Sequence, residues 1–267
     1  MQTLELKELM EAGVHLGHQK RKWNPKMKSY IYGDKNGVCI IDLEKTADSL
    51  AKAAEFLKEV ATSKKNIVFV GTKKHISEVI KEEAVRCGAF YINRRWLGGL
   101  LTNFDTVRQR INRLRELEGL HETGTINKLT KKEQSVINKE LDKLQKTLGG
   151  IKNMRGKVDV VFVIDQQEEE IAVIEAKKKN LKIVALVDTN CNPDDIDFPI
   201  PGNDDSIRSV RLITKTIADA IIEGHNGNVP LVHDNKSMGA PSVKPPTRLV
   251  SEVTVPLVSL EPAIAQE

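Results

Sequence analysis

The chain has 267 residues, of which 40% are hydrophobic and only 4% aromatic. This length and apolar content suffice for an α/β body that folds without metals or disulfides, while the few aromatic residues argue against a broad base-stacking platform. Lysine and arginine number 41 against 37 aspartate and glutamate, a net charge of +4. Any binding of nucleic acid therefore depends on where the cations lie rather than on their sum.

The cysteines and the N-terminus indicate a cytoplasmic protein. Cys39, Cys87 and Cys191 form no C-x-x-C pair, and the first residues lack a charged segment followed by an apolar core. We therefore expect reduced cysteines and no disulfide framework. Apolar runs long enough to span a bilayer are absent from the sequence, so we expect no membrane partner.

Helical and strand patterns alternate along most of the chain. Residues 4–12 predict a short amphipathic helix, and residues 15–28 predict an irregular basic stretch. The elements predicted next are strand 38–41, a helix capped by Asp42, strand 66–70, helix 74–87, strand 89–92, strand 158–164, helix 168–179, strand 183–187 and helix 206–223. Because the strands are continuous apolar runs separated by helices, they predict a parallel sheet buried on both faces.

One segment interrupts this alternation. Two apolar stripes at helical spacing, separated by turn residues, predict two antiparallel helices in a coiled-coil hairpin, and Thr130 with Glu133 matches a capping box. After Gly224 the apolar periodicity is lost, and six of the ten prolines follow. The predicted organisation is a body over 1–102 and 151–224, an inserted hairpin over 103–150, and an extended or disordered tail over 225–267.

The strand ends carry no nucleotide-binding fingerprint. A dinucleotide site needs three spaced glycines, whereas the turn after strand 66–70 has only Gly71, and no P-loop motif occurs in the sequence. Lys73 and Lys74 lie near a helix start, where a phosphate can bind, and we favour a nucleic-acid phosphate over a nucleotide as their ligand. A nucleotide-dependent enzyme is a second hypothesis, supported only by the analogy of a parallel sheet.

A histidine and several carboxylates suggest a metal site. His15 and His18 form an H-x-x-H pattern, and Asp188, Asp204 and Asp205 lie at other strand ends. His18 with these three carboxylates predicts a divalent cation site. The alternative is that the histidines shape a loop and that Asp205 caps the last helix. We expect no other cofactor.

Cations and indoles occur together on two predicted loops. Residues 20–28 place five cations around Trp23, and residues 93–104 combine two arginines with Trp96. Arginine forks bind phosphates in a bidentate manner, and an indole stacks on a base or packs beneath its loop. The alternative is that Trp96 is a core residue and that the arginines form ion pairs. Because Trp23 repeats the same composition, RNA binding is favoured.

The first hairpin helix adds further arginines with few acids nearby, which favours RNA binding. The charges of the second helix are equally consistent with RNA binding and with a solvated face. The residues predicted to bind RNA are Lys20, Arg21, Lys22, Trp23, Asn24, Lys26, Lys28, Lys73, Lys74, Arg94, Arg95, Trp96, Asn103, Arg108, Arg110 and Arg113.

Four separated motifs follow one another along the chain: GVHLGH at 13–18, WNP at 23–25, RRWLGGLLTNF at 94–104, and VDTNCNP at 187–193 followed by IPGNDD at 200–205. Together they resemble the bacterial small-subunit ribosomal protein S-two family. The resemblance covers about residues 3–225. The hairpin is more similar to the bacterial and organellar branch than to the archaeal or eukaryotic one.

The resemblance implies a flavodoxin-like or Rossmann-like parallel sheet with helices on both faces and a protruding coiled coil. It implies a structural protein without catalytic activity or a small-molecule substrate, bound to RNA of the small ribosomal subunit on the solvent side, between head and body. It also implies late assembly, contacts with neighbouring ribosomal proteins, and a role in docking the large OB-repeat protein that recruits messenger RNA. The expected location is the ribosome in a bacterial cytoplasm, with a plastid-encoded protein as the alternative.

Overall fold

The structure, a computed structural model, describes residues 5–154, 156–230 and 232. The helices are α1 (Leu6–Glu11), α2 (Leu43–Thr62), α3 (Ser77–Cys87), α4 (Phe104–Glu122), α5 (Lys131–Leu148), α6 (Glu170–Lys178) and α7 (Ile207–Gly224). The strands are β1 (Leu16–Gln19), β2 (Ile31–Lys35), β3 (Val38–Ile41), β4 (Ile67–Val70), β5 (Phe90–Ile92), β6 (Val160–Ile164), β7 (Lys182–Val187) and β8 (Phe198–Pro201). Short 3-10 turns occupy Lys20–Lys22, Pro25–Tyr30, Thr125–Lys128, Gly149–Ile151 and Pro193–Asp195.

Five strands form a parallel sheet in the order β5-β4-β6-β7-β8. In its register Val68 of β4 lies opposite Val161 of β6, which in turn lies opposite Ile183 of β7. Every residue of β4 and β6 is buried, as expected for central strands that helices cover on both faces. The predicted Rossmann-like α/β fold is therefore confirmed.

Alternate residues of the sheet enter two cores, one on each face. Phe69 and Phe162 meet edge to face, with ring centroids 5.0 Å apart, in the core covered by α2, α3 and α7. Val68 and Val161 enter the opposite core, which is covered by α6, the segment around Trp96 and the base of α4 and α5. Fully burying a side chain of this size stabilises the fold by about 1.5–3 kcal/mol, so both faces of the sheet are fixed.

Strands β1, β2 and β3 form a separate antiparallel sheet in the order β1-β3-β2. The assignment of strand 38–41 to the parallel sheet is therefore wrong, and the stretch 15–28 is less irregular than predicted because β1 pairs with β3. A four-residue apolar run does not distinguish a parallel from an antiparallel strand. The two partner strands, LGHQ and IYGDK, contain few apolar residues, so apolar periodicity does not reveal them.

The sequence patterns also do not predict β8, the edge strand beside β7. Its residues Pro199 and Pro201 lack the N–H group that a central strand needs, and proline in a sheet is confined mainly to edges. Phe198 stacks on Phe56 of α2, with ring centroids 4.3 Å apart. This contact fixes the edge strand to the helical layer.

The helix ends follow their cap residues. The Asp42 side chain accepts a hydrogen bond from the Glu44 backbone N–H at the start of α2, and Thr130 with Glu133 forms the predicted capping box of α5. Helix α3 begins at Ser77, three residues later than predicted, because residues 74–76 form a turn. The bounds of the other predicted helices agree within a few residues.

Helices α4 and α5 follow each other across the turn Thr125–Lys128 and are joined by polar contacts. Arg113 Nε donates to Glu140 Oε1 at 3.2 Å, and Gln145 Nε2 donates to Glu118 Oε1 at 3.3 Å. The apolar residues that α4 buries are Val107, Ile111, Leu114 and Leu117. The two helices are thus present where the hairpin was predicted, while their packing as a coiled coil stays a prediction.

The predicted tail over 225–267 lies mostly outside the described residues, which end at residue 232. Its extended or disordered character, and the domain boundaries given above, stay predictions. Within the described ranges, none of the helices combines the length and the apolar character that crossing a membrane requires.

Candidate nucleic-acid interface

The carboxyl ends of the parallel strands bring many of the predicted site residues to one edge of the sheet, called here the carboxyl edge. Lys73 and Lys74 follow β4, Arg94 and Arg95 follow β5, and Asp188 follows β7. Adjacent strands lie about 4.8 Å apart, so the three steps from β5 to β7 span about 14 Å. Residues far apart in sequence thus share one surface.

The loop between β5 and α4 is fastened to α6 by a single carboxylate. Glu175 Oε1 accepts hydrogen bonds from the Gly99 backbone N–H at 2.7 Å and from Trp96 Nε1 at 3.2 Å. Its Oε2 accepts from the backbone N–H groups of Leu101 at 3.0 Å and Thr102 at 3.1 Å, and from the Thr102 hydroxyl at 3.2 Å. The five hydrogen bonds fix the loop against the body.

Glu175 is only 7% exposed, and its charge depends on these donors. Burial opposes its ionisation, but the hydrogen bonds from Gly99, Trp96, Thr102 and Leu101 outweigh burial and lower the pKa of this carboxyl. Sequence reasoning did not single out Glu175. The available signal is an acid on the buried face of a helix, three residues after the buried Ala172.

Trp96 lies in the core beneath this loop and is 7% exposed. The interpretation of Trp96 as a base-stacking residue is therefore corrected, because an enclosed ring offers no free face to a base. Arg94 and Arg95 are both exposed, and among the described residues neither has an ion-pair partner. The alternative in which these arginines form ion pairs is thus not observed in the described part of the chain.

The basic segment 20–28 packs beside the connection that follows β7. The Asn24 backbone N–H donates to the Thr189 carbonyl at 2.7 Å, and Lys26 Nζ lies 2.6 Å from Asp194 Oδ2. Trp23 is half-buried, so part of its ring remains accessible. These contacts hold the segment at the carboxyl edge, as the motif spacing alone could not show.

Some cations of this segment have partners and others do not. Lys20 Nζ lies 2.9 Å from Asp34 Oδ1, and Arg21 Nε donates to the Gln19 side chain at 2.9 Å. Lys22 and Lys28 are exposed and have no ion-pair partner among the residues described. Exposed ion pairs contribute only about 0–1 kcal/mol, so the paired lysine also remains able to exchange its partner for a phosphate.

The arginines of α4 also differ in whether their side chains have partners. Arg108 lies over the Phe104 ring, 5.5 Å from its centroid, and Arg110 is exposed without an ion-pair partner in the described ranges. Arg113 is held within the hairpin by Glu140 and Glu116, whose hydrogen bonds raise its pKa. Asn103, at the start of α4, is exposed and makes no side-chain cap bond.

Lys73 lies in a cluster of carboxylates at the middle of the carboxyl edge. Its ammonium is 2.8 Å from Asp165, 3.0 Å from Asp204 and 2.7 Å from Asp205. Burial opposes the charge on Lys73, but these carboxylates outweigh burial and raise its pKa. The interpretation of Lys73 as a phosphate ligand is corrected, because its donors are already occupied. Lys74 is exposed without an ion-pair partner in the described part of the chain.

The four predicted metal-site residues are brought together in this cluster. His18 Nδ1 lies 3.0 Å from Asp188 Oδ2, and its Nε2 lies 3.4 Å from Asp205 Oδ2. The hydrogen bond to Asp188 is the largest cause that raises the pKa of His18. Burial first, and then the charges of Asp165 and Asp188, raise the pKa of Asp204 to about 7. His15 is not part of this group.

A Rossmann-like body with exposed cations at its carboxyl edge and on an attached pair of helices is typical of a protein that binds nucleic acid. The family model described as ribosomal protein S2 matches residues 9–224 of the chain. The chain therefore belongs to the ribosomal protein S2 family. It is a structural protein of the small ribosomal subunit that acts in translation, and it is not an enzyme. Its partners are ribosomal RNA and other ribosomal proteins.

Proposed function

We propose that the chain contacts ribosomal RNA through the exposed cations at the carboxyl edge and at the root of the hairpin, with Arg94 and Arg95 at the centre. The observation that carries this proposal is an exposed arginine pair on a loop that Glu175 fastens to the body. The residues assigned to the contact are Lys20, Arg21, Lys22, Trp23, Asn24, Lys26, Lys28, Lys74, Arg94, Arg95, Asn103, Arg108, Arg110 and Arg113.

The anchored loop lowers the cost of binding. Because the backbone around Gly99 and Leu101 is already held by hydrogen bonds, binding has to order only the two guanidinium groups and not the loop itself. Each guanidinium presents a planar fork that matches two phosphate oxygens. The pair is therefore suited to the backbone of a folded RNA rather than to the bases.

The segment 20–28 offers a second group of cations on the same edge. A phosphate backbone that follows the edge from β5 towards β7 would meet Arg94 and Arg95 first and Lys22 and Lys28 afterwards. The carboxylates between these groups oppose such a path, and Lys73 neutralises part of their charge. RNA contact is therefore expected on both sides of the acidic cluster.

The test compares Arg94→Ala/Arg95→Ala with Lys178→Ala/Lys179→Ala, which removes two adjacent exposed cations at the opposite edge of the sheet. Binding to small subunits that lack this protein is measured by sedimentation at several salt concentrations. Losing two phosphate contacts lowers the slope of log K against log salt by about 2, whereas the lysine variant keeps the wild-type slope. Wild-type occupancy and slope in the arginine variant, with an unchanged Tm, contradict the proposal.

We also propose the finer placement that the motif resemblance implies. The protein lies on the solvent side of the small subunit between head and body, joins it late in assembly, and supports docking of the OB-repeat ribosomal protein that recruits messenger RNA. The ribosome is bacterial, with a plastid ribosome as the alternative. Pull-down from RNase-treated subunits tests the docking role, since capture of the OB-repeat protein must survive removal of RNA.

A further inference from the structure

One carboxylate oxygen at the carboxyl edge is buried without a partner. Asp204 is fully buried, and its Oδ1 accepts a hydrogen bond from Lys73 at 3.0 Å. Its Oδ2 has no hydrogen-bond partner in the part of the chain that the structure describes. An acceptor oxygen removed from water and left unpaired is costly, so its position indicates a ligand.

Two further side chains lie near Asp204 at a spacing that metal ligands can adopt. Ligand atoms of His18, Asp188 and Asp204 all lie within 4.8 Å of one another. His18 Nδ1 and Asp188 Oδ2 are 3.0 Å apart. Two ligands on a tetrahedral zinc ion, each bonded at about 2.0–2.1 Å, are separated by about 3.3 Å, so a small adjustment lets both bind one ion.

The net charge of the cluster is negative, which favours the binding of a divalent cation. Its carboxylates are Asp165, Asp188, Asp204 and Asp205, and its one permanent cation is Lys73. With all four carboxylates ionised, as metal binding requires, three negative charges are left uncompensated, or two when His18 is protonated. Lys73 contacts Asp204 through Oδ1 only, so the ammonium does not serve the unpaired oxygen.

The groups around these ligands are already oriented. Asp188 Oδ1 accepts hydrogen bonds from the Thr189 backbone N–H at 2.5 Å and from its hydroxyl at 3.1 Å, which turns Oδ2 towards His18. The other ring nitrogen of His18 faces Asp205 Oδ2 at 3.4 Å. Metal-binding histidines commonly donate their second N–H to a carboxylate, which fixes the ring.

We infer that His18 Nδ1, Asp188 Oδ2 and Asp204 Oδ2 bind one divalent cation of the zinc class at the carboxyl edge. One imidazole with two carboxylates suits Zn²⁺, whereas Mg²⁺ favours six oxygen ligands in octahedral geometry. A cavity of about 570 Å³ borders His18, Lys73 and Asp205, beside the proposed ligands.

A second set of side chains shares Asp204 and is the competing arrangement. Asp165 and Cys191 also offer atoms within 4.8 Å of it and of each other. Both carboxylate oxygens of Asp165 already have partners. Its Oδ2 forms an ion pair with Lys73, and its Oδ1 accepts hydrogen bonds from the backbone N–H groups of Gln167 and Glu168. Cys191 is buried, and its thiol donates to the Asn190 side chain. We therefore assign the ion to the histidine side of Asp204.

The first test is calorimetric titration of Zn²⁺ into the purified, chelator-treated full chain without RNA. We expect one ion per chain and at least a tenfold loss of affinity in Asp204→Asn. The matched control is Asp48→Asn, an exposed aspartate of α2, which keeps the wild-type affinity. Absence of zinc binding, or equal affinity in the wild type and in Asp204→Asn, overturns the inference.

The second test keeps the inference falsifiable if Asp204→Asn does not fold. X-ray absorption of the zinc-loaded wild type should give nitrogen and oxygen ligands at about 2.0–2.1 Å and no sulfur at about 2.3 Å. His18→Gln should weaken zinc at least tenfold, with His121→Gln, an exposed histidine of α4, as its control. A sulfur ligand, or loss of zinc in Cys191→Ser but not in His18→Gln, overturns the assignment. Because no RNA is present, these results are independent of the RNA-binding test.

Discussion

Two neighbouring strands of the parallel sheet each end in a pair of cations, yet the surroundings of the two pairs differ. Lys73 and Lys74 follow β4, and Arg94 and Arg95 follow β5. The Lys73 ammonium is surrounded by three carboxylates. The arginine loop is instead held by Glu175. Both oxygens of this carboxylate accept hydrogen bonds from backbone, indole and hydroxyl donors of the loop. Cations that look alike in sequence therefore differ in whether they are available to a phosphate.

The difference shows that a carboxylate has opposite effects according to what it binds. At the end of β4 the acids neutralise a cation and form a structural network. At the end of β5 the acid binds uncharged donors and leaves the arginines exposed. The largest expected effects on stability accordingly come from these internal contacts, and not from the exposed cations.

The largest expected effect on stability is that of Glu175→Ala, which tests whether this carboxylate anchors the arginine loop. This change leaves three backbone N–H groups and the Trp96 indole without their acceptor, so we expect a loss of about 3–5 kcal/mol in the free energy of unfolding. Urea denaturation measures it. The matched control is Glu55→Ala, an exposed glutamate of α2, expected to change stability by less than about 0.5 kcal/mol. Equal effects of the two changes contradict the anchoring role.

A smaller effect separates the two lysines after β4. Lys73→Met leaves three carboxylates facing one another without their ammonium, and we expect a loss of about 2–3 kcal/mol in metal-free buffer. Lys74→Met, at an exposed position, is expected to cost less than about 0.5 kcal/mol. Thermal and urea denaturation of both variants measure the difference. If Lys74→Met is the more destabilising change, the distinction between the two cations fails.

The smallest expected effect is the pH dependence of the Glu175 contacts. Because its folded-state pKa is lowered, the carboxylate contributes stability above its unfolded-state pKa of about 4.3 and loses that contribution as the pH falls through the folded-state pKa. The stability difference between the wild type and Glu175→Gln should therefore be constant from pH 7 to about pH 5 and shrink at lower pH. Urea midpoints of both proteins between pH 6 and pH 3 measure this difference. A stability difference between the two proteins that does not change with pH would falsify the prediction that Glu175 is ionised in the folded protein.

Sequence patterns predicted the parallel sheet and most helices, because apolar periodicity and cap residues such as Thr130 and Glu133 are local signals. They also grouped His18 with Asp188, Asp204 and Asp205, although only Asp188 follows a parallel strand that the patterns predicted.

Partners far apart in the chain could not be predicted in the same way. Glu175 and Trp96 are 79 positions apart, and Lys73 and Asp204 are 131 apart, so neither contact has a spacing that periodicity detects. The burial of Trp96 depends on the same long-range packing. The antiparallel strands β1 and β2 were missed because they contain few apolar residues.

The two outer edges of the sheet have a consequence for the protein before it enters a subunit. Strand β8 contains Pro199 and Pro201, which lack N–H donors, and β5 has only three residues. Beside β5 the turn at Gly150 approaches so closely that a Cβ atom there would lie 2.1 Å from the Tyr91 carbonyl oxygen. Exposed strand edges template aggregation, and proline, short strands and covering loops prevent it. We expect newly made chains to stay monomeric while they wait for ribosomal RNA.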